Sequence, residues 1–271
     1  MPRRVRMALA LTGAWACSVT GQSAPDPRIS IVNLVHTDRR IRFELRNNYN
    51  SPITFWQLRL EARCPDGSVA AAGGWDSDAL WTVAAGADAG LFAPLRIEPI
   101  PPGGLRQFEF PRPLDVFSQA GECAASQFKD LTVIFADSAG VGVPELIAAK
   151  LAKRRLQAET LKQWMGPLRD LLHADDPVAA LKGLRERLDG EYDDFQVKRL
   201  REDDTVRLIM NRNIREVIDQ QFIQIRRMNE PTEAARQRVE RMVGFLERLA
   251  QLLAQQSVPN NSPAREETQT R

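Results

Sequence analysis

The pattern of hydrophobic and polar residues changes once along this chain, between Asp137 and Pro144. Before this point, apolar residues alternate with polar ones, which is the period of a half-buried β-strand. After it, apolar residues recur every three or four positions, which is the period of an amphipathic helix. The sequence therefore predicts an α+β protein in two segregated domains, with an antiparallel β-sandwich over residues 25–140 and an all-α helical bundle over residues 141–256.

The β half is predicted from short alternating stretches that turn signals separate. Residues 40–46 place apolar side chains on one face and charged ones on the other. Residues 54–64 repeat this pattern, with Trp56 and Leu58 inward and Glu61 facing water. Several short strands of this kind are typical of a β-sandwich. The other predicted strands cover residues 28–36, 69–72, 90–97, 105–110 and 131–136.

Residues 40–68 also carry a resemblance to a known family. They contain the run F-E-L-R-N-N-Y-N-S-P-I-T-F-W-Q-L-R-L-E-A-R-C-P-D-G-S. This run resembles the strand–turn–strand core of immunoglobulin-like domains of the FxLYD type in bacterial envelope and secreted proteins. Those domains have an Asn/Ser-Pro turn followed by an amphipathic strand that ends in Asp-Gly. The resemblance implies an immunoglobulin-like fold for the β half and assigns no catalytic residues.

The first helix of the α half is predicted to begin at Pro144. Proline suits the first turn of a helix, and the acid Glu145 complements the helix dipole. Gly166 and Pro167 are expected to break or kink this helix, because an internal proline removes a backbone donor and clashes with the previous turn. Its apolar stripe consists of Ile147, Leu151, Leu161, Met165, Leu168 and Leu172.

Three more helices are predicted after it. A short helix follows Pro177 and ends at Gly190, a long one covers about residues 195–227, and a last one starts after Pro231. Apolar spacing close to heptad a and d positions predicts that the helices pack on one another, either within one chain or between two copies. Residues 257–271 have no apolar stripe and are predicted to be a disordered tail.

Residues 1–24 have the layout of a secretory signal peptide. Three arginines within the first six residues precede a short apolar stretch, and small residues follow it. We therefore expect a bacterial protein exported to the periplasm or the extracellular space, with a lipid-anchored form through Cys17 as an alternative. No later stretch approaches the roughly 18 consecutive apolar residues of a membrane-spanning helix, so the mature chain is expected to have no integral membrane span.

Export changes how the charges and cysteines are interpreted. The formal net charge of +2 includes the three arginines, so the chain without them is near −1. With acids and bases interleaved along the helices, this argues against a nucleic-acid partner. Cys64 and Cys123 would then lie in an oxidising compartment, where we expect them to form a disulfide. Two separate buried thiols are the alternative.

No catalytic constellation is visible in the sequence. The chain has two histidines, His36 and His173, one in each half. With the cysteines paired, no zinc ligand set is left, and neither a phosphate-binding loop nor a nucleophile elbow is present. Acid pairs such as Asp193 and Asp194 lie among arginines, as they do on salt-bridged helix faces. We therefore expect no catalytic residues, no metal site and no cofactor.

One cluster of residues is a candidate for binding. Trp75, Asp76, Asp78 and Trp81 place two tryptophans around two acids in a loop or short strand. Tryptophan stacks on sugars and anchors interfaces, and loops on rigid scaffolds commonly carry binding. The alternative is that the tryptophans fill the core of the β half or the junction between the domains.

Together these features predict a non-catalytic secreted or periplasmic protein that serves interaction or scaffolding, with a protein partner or self-association through the helices. The first alternative is a module that binds an extracellular glycan or a small ligand through the loop of residues 75–81. The second is a hydrolase with an unrecognised carboxylate pair.

Overall fold

Seven strands form two antiparallel sheets in the computed structural model of the protein. The model describes residues 26–36, 40–64, 66, 68–92, 97–111, 125–196 and 201–258. Within these residues the strand order is β1-β2-β5 in one sheet and β4-β3-β6-β7 in the other. The strands are β1 (Ile29–His36), β2 (Arg40–Asn47), β3 (Ile53–Arg63), β4 (Val69–Asp78), β5 (Leu105–Pro111), β6 (Ala125–Phe135) and β7 (Gly140–Val141).

The two sheets share one hydrophobic cluster. Alternation along each strand buries Phe43 of β2 together with Trp56 and Leu58 of β3 and Val133 of β6. The ring centroids of Phe43 and Trp56 lie 6.0 Å apart in an edge-on arrangement, which joins one sheet to the other. The alternating pattern in the sequence thus identified the faces that meet.

Six helices complete the described structure. They are α1 (Leu80–Ala85), α2 (Ala89–Phe92), α3 (Pro144–Asp170), α4 (Pro177–Gln196), α5 (Glu202–Met228) and α6 (Thr232–Gln255). Most residues of the predicted apolar stripes form one buried cluster, which includes Leu161, Leu168, Leu181, Leu188, Met210, Ile214, Val239, Leu246 and Leu249. The first two residues of the α3 stripe, Ile147 and Leu151, pack instead against Phe55 and Ile134 of the second sheet. Burying such stripes is the main source of stability for helices in proteins. The coarse prediction of strands followed by helices is therefore confirmed.

Helices α1 and α2 make the separation of the two halves incomplete. They lie between β4 and β5, inside the region predicted to be all β, and residues 90–92 of the predicted strand 90–97 are helical. Leu80 and Phe92 are buried in the same cluster as the C-terminal helices. Phe92 stacks on Phe245 of α6, with ring centroids 5.2 Å apart and planes 8° from parallel. A segment of the β half thus completes the helical core.

Two helices continue past positions where a break or an end was predicted. Helix α3 continues through Gly166 and Pro167 to Asp170, so the helix is not broken there. Helix α4 continues through Gly190 to Gln196, so the prediction that it ends at Gly190 was wrong. In α3, the burial of Leu168 on the far side of the proline holds the last turn in register. In α4, a glycine in a helix interior costs only about 1 kcal/mol relative to alanine, which packing against the helical core outweighs.

The last helix was predicted correctly. Helix α5 ends at Asn229, which has a positive φ of 47°, and α6 begins just after Pro231. The long helix α5 begins at Glu202, later than the predicted start near residue 195. The predicted signal peptide, Cys17, Cys123 and residues 259–271 lie outside the described residues. Within the described part of the chain, no helix combines the length and apolar character needed to cross a membrane.

Candidate functional site

The predicted binding residues lie where β4 runs directly into α1. Trp75, Asp76 and Asp78 belong to β4, Trp81 belongs to α1, and Ala79 is the single residue between the two elements. In the register with β3, Trp75 is opposite Leu58 and Asp78 is opposite Phe55. Because side chains alternate along a strand, the two acids share one face of the sheet and Trp75 lies on the other.

The two tryptophans belong to different hydrophobic clusters. Trp75 is half-buried and packs against the cluster between the sheets. Trp81 is half-buried against the helical cluster, with its ring centroid 5.8 Å from that of Phe245. The structure therefore does not bring the two indole rings together on one surface.

The two acids also have different environments. Asp76 is exposed, whereas the side chain of Asp78 is only 24 % exposed and is held by two cations. Lys150 Nζ lies 2.8 Å from Asp78 Oδ2, and Arg154 Nη2 donates to Asp78 Oδ1 at 3.2 Å. The backbone N–H of Leu80 also donates to Oδ1, at 3.2 Å, at the start of α1. Asp78 therefore joins the end of β4 to α1 and α3.

Arg154 is the centre of a polar cluster buried between the second sheet and the helices. Its side chain is 0 % exposed, and its Nη1 donates to Gln256 Oε1 at 2.8 Å. Thr54 Oγ1 of β3 lies 3.5 Å from Arg154 Nη2 and 3.1 Å from Gln256 Oε1. We call Thr54, Asp78, Lys150, Arg154 and Gln256 the junction cluster, because they join β3, β4, α3 and the end of α6.

Burial and charge together set the ionisation of the junction cluster. Burial alone would raise the pKa of the Asp78 carboxyl, but the positive charges of Lys150 and Arg154 outweigh burial and hold that pKa below its ordinary value. Burial lowers the pKa of Lys150, against the opposing effect of Asp78. Lys150 Nζ also lies 4.3 Å from the centroid of the Phe55 ring, a favourable cation–π position.

The junction cluster carries more positive than negative charge. Lys150 and Arg154 face one carboxylate, that of Asp78, and Arg154 Nε has no hydrogen-bond partner among the described residues. A buried ion network of this kind is a weak source of net stability, but breaking it by removing one partner is strongly destabilising. The arrangement connects β3 and β4 of the second sheet to α3 and the end of α6.

A second charged cluster lies on the outer face of β3 and β6. Glu61 forms an ion pair with Lys129, and Arg59 Nη1 lies 3.8 Å from Asp130 Oδ2. The prediction that Glu61 faces water was wrong, because the residue is only 4 % exposed. Burial raises the pKa of the Asp130 carboxyl, although the positive charges of Arg59 and Lys129 act to lower it. An irregularity in the pairing of β3 with β6 lies between Arg59 and Leu60.

Neither cluster forms a metal site. Among the described residues, no three His, Cys, Asp or Glu side chains come together in a group that could hold a metal ion. His173 ends a short 3₁₀ turn after α3 and is exposed. Cys64 follows β3 directly. Because Cys123 lies outside the described residues, the pairing of these two cysteines stays a prediction.

Sequence reasoning found Asp78 but missed the residues that surround it. A signal was present: Arg154 occupies a position of the buried stripe of α3, three residues after Leu151 and seven before Leu161. Gln256 likewise continues the stripe of α6, three residues after Leu253. A polar residue at a core position of an amphipathic helix indicates a buried polar contact.

Comparison of the chain with family models, with curated proteins and with solved structures finds no match.

Proposed function

We propose that this chain is an exported, non-catalytic interaction or scaffolding protein, in which an immunoglobulin-like β-sandwich and a helical bundle act as one rigid body. The observation that carries the proposal is the junction cluster. Its central residue, Arg154, is fully buried and contacts β3, β4 and the end of α6. Such contacts favour a fixed orientation of the two halves, which is what a scaffold needs to present its surfaces at a defined angle.

The packing of the helical insertion supports the same proposal. Arg248 of α6 donates to the Ala84 carbonyl of α1 at 2.9 Å, and Gln221 of α5 donates to the Leu91 carbonyl of α2 at 3.1 Å. These contacts attach a segment between two strands to the helices at two points. Domain boundaries with few crossing contacts are where relative motion is expected, whereas here both the junction cluster and the insertion of α1 and α2 contact the C-terminal helices.

Binding of a glycan through residues 75–81 is the second candidate. Sugar stacking needs an accessible indole face, whereas Trp75 and Trp81 pack into separate hydrophobic clusters. This favours a structural role for both rings. The test is isothermal titration of the protein with cell-envelope glycans. Heat of binding that is lost in both Trp75→Ala and Trp81→Ala, with folding intact, would favour the glycan module over the scaffold.

The direct test of a scaffold is the recovery of its partner. We expect chemical crosslinking in the intact periplasm to yield one discrete species, either a second copy of this chain or a specific protein, and light scattering of the exported chain to distinguish the two. A hydrolytic activity towards cell-envelope polymers that disappears in Asp130→Asn would contradict a non-catalytic role. Recovery of the full-length chain from the cytoplasm alone would contradict export.

A further inference from the structure

The last residues of α6 reach beyond the hydrophobic core of the helices. Leu253 is the last residue of this helix buried in the helical cluster. Residues 255–257 are two glutamines and a serine, and Val258 after them is 66 % exposed. The segment of residues 255–257, which we call the strap, therefore has no apolar side chain to anchor it.

The strap nevertheless lies against the β half. Gln256 is only 2 % exposed, and its Oε1 atom accepts from Arg154 Nη1 at 2.8 Å. The same atom lies 3.1 Å from Thr54 Oγ1. Ser138, in the turn between β6 and β7, donates from Oγ to the Gln255 carbonyl at 3.4 Å. The described contacts that hold the strap on the sheet are thus hydrogen bonds.

We infer that the strap is a releasable latch: it adds a contact between the sheet and the helices when Gln256 meets Arg154, and it opens locally while the rest of α6 stays folded and the Asp78 ion pairs still hold the two halves together. The reason is the balance of contacts. Segments with few buried apolar contacts open at lower free energy than the core that they adjoin. Leu249 and Leu253 retain the helix on its partners when the strap leaves, since they are buried among the other helices.

The closed state also leaves one group unsatisfied. Arg154 Nε has no hydrogen-bond partner among the described residues, and a buried donor without a partner raises the free energy of the state that contains it. When the strap opens, water reaches the guanidinium of Arg154. Water then accepts a hydrogen bond from Nε, and it replaces Gln256 as the acceptor for Nη1. Asp78 keeps its contacts with Lys150 and Arg154 in the open state, because these do not involve the strap.

Hydrogen exchange of the full chain, followed by mass spectrometry, tests the latch. In the wild type, peptides covering residues 254–258 should exchange at a rate that low urea concentrations leave unchanged, while peptides covering residues 239–249 should accelerate with urea. Local opening exposes little surface, whereas global unfolding exposes much. Exchange of the strap that follows the urea dependence of the helix core would overturn the inference.

Two substitutions at Gln256, each with a matched control at Gln255, address the role of this residue. We expect Gln256→Ala to speed exchange of the strap and of the first half of α3 by about tenfold or more, because Arg154 loses a buried acceptor. The matched control is Gln255→Ala, which removes an exposed side chain of the same type and keeps the backbone carbonyl that Ser138 contacts. Its exchange should equal that of the wild type. Equal exchange in the two alanine variants, or acceleration across the whole chain, would overturn the inference.

Gln256→Glu keeps the test decisive if the alanine variant does not fold. A carboxylate at this position still accepts from Arg154 and offsets the excess positive charge of the junction cluster, so strap exchange should be as slow as in the wild type or slower. Gln255→Glu is its control and should leave exchange unchanged. Faster strap exchange in Gln256→Glu than in Gln255→Glu would show that the contact with Arg154 does not hold the strap.

Discussion

Asp78→Asn is the most informative single change in the junction cluster. Asparagine has the shape of aspartate, and its Oδ1 atom can still accept from the Leu80 backbone N–H, which Asp78 does at 3.2 Å. The substitution therefore removes the charge while it preserves the start of α1. It leaves Lys150 and Arg154, whose side chains are 12 % and 0 % exposed, close together without their carboxylate.

The structure indicates how large the effect should be. Removing one partner of a buried ion pair costs about 3–5 kcal/mol, and partial exposure of Asp78 and Lys150 reduces this to about 2–4 kcal/mol of unfolding free energy. Arg154→Met should cost less, about 1–2 kcal/mol, because Lys150 still neutralises Asp78 and the losses are the hydrogen bonds from Arg154 to Asp78, Gln256 and Thr54. The double variant should be more stable than Asp78→Asn alone, since it removes one of the two cations that Asp78→Asn leaves without a carboxylate.

Urea unfolding followed by circular dichroism measures these differences as changes in midpoint at constant slope. Asp76→Asn is the matched control: the residue is exposed and lies two positions earlier on the same face of β4. We expect it to change stability by less than about 0.5 kcal/mol. The reasoning is refuted if Asp78→Asn resembles this control, or if Arg154→Met is the more destabilising of the two junction variants.

Four further predictions concern Asp78, two glycines and the insertion of α1 and α2. The pKa of Asp78 is lower in the folded protein than its ordinary value of 3.8. The ionised carboxylate therefore contributes fully to the unfolding free energy above pH 3.8, and this contribution is lost as the pH falls through the pKa of the folded state. Acid unfolding curves should show this loss in the wild type and not in Asp78→Asn. Gly142→Ala should destabilise by about 2–4 kcal/mol, because φ is +113° and a Cβ would lie 2.4 Å from the Leu131 carbonyl oxygen. Gly190→Ala in α4, where an added Cβ would meet nothing within 4 Å apart from its chain neighbours, should stabilise the protein by roughly 0.5–1 kcal/mol and so raise the thermal midpoint. A loss of stability in this variant would count against the continuation of α4 through Gly190. Residues 143–258 expressed alone should aggregate or unfold, because Phe245 loses Phe92 and Trp81; a cooperative, monomeric product in light scattering would contradict an integral role for α1 and α2.

The core of the helical half could be predicted from the sequence because its period is regular. Leucines and isoleucines at helical spacing in α3 to α6 are buried where the pattern placed them. The polar members of the stripes, Arg154 and Gln256, occupy the same period, but counting only apolar residues passes over them. Whether a polar residue in a stripe has a buried partner depends on the element that packs against it. For Arg154 that element is β3 or β4, which is far away in the sequence.

Helices α1 and α2 could not be predicted in this way. Residues 79–92 are a short apolar run rich in alanine, which suits a strand as well as a helix. Ala79 at the start of α1 gives no side-chain cap, so the usual start signal is missing. The helical conformation of α1 and α2 depends on tertiary contacts, such as that of Arg248 with the Ala84 carbonyl and that of Phe245 with Phe92. Long helices can be predicted from their local sequence, whereas the helices of this insertion depend on contacts with residues distant in the sequence.

The position of that insertion also constrains the order in which the protein can fold. Leu80 and Phe92 are synthesised well before α6, which supplies Phe245 to cover them. Until α6 has been synthesised, the residues before it carry an aromatic and aliphatic segment without its final cover, of the kind that makes folding intermediates prone to aggregate. A chain terminated before α6 keeps this segment exposed. The insertion therefore makes burial in the first half of the fold depend on a helix that is translated about 150 residues later.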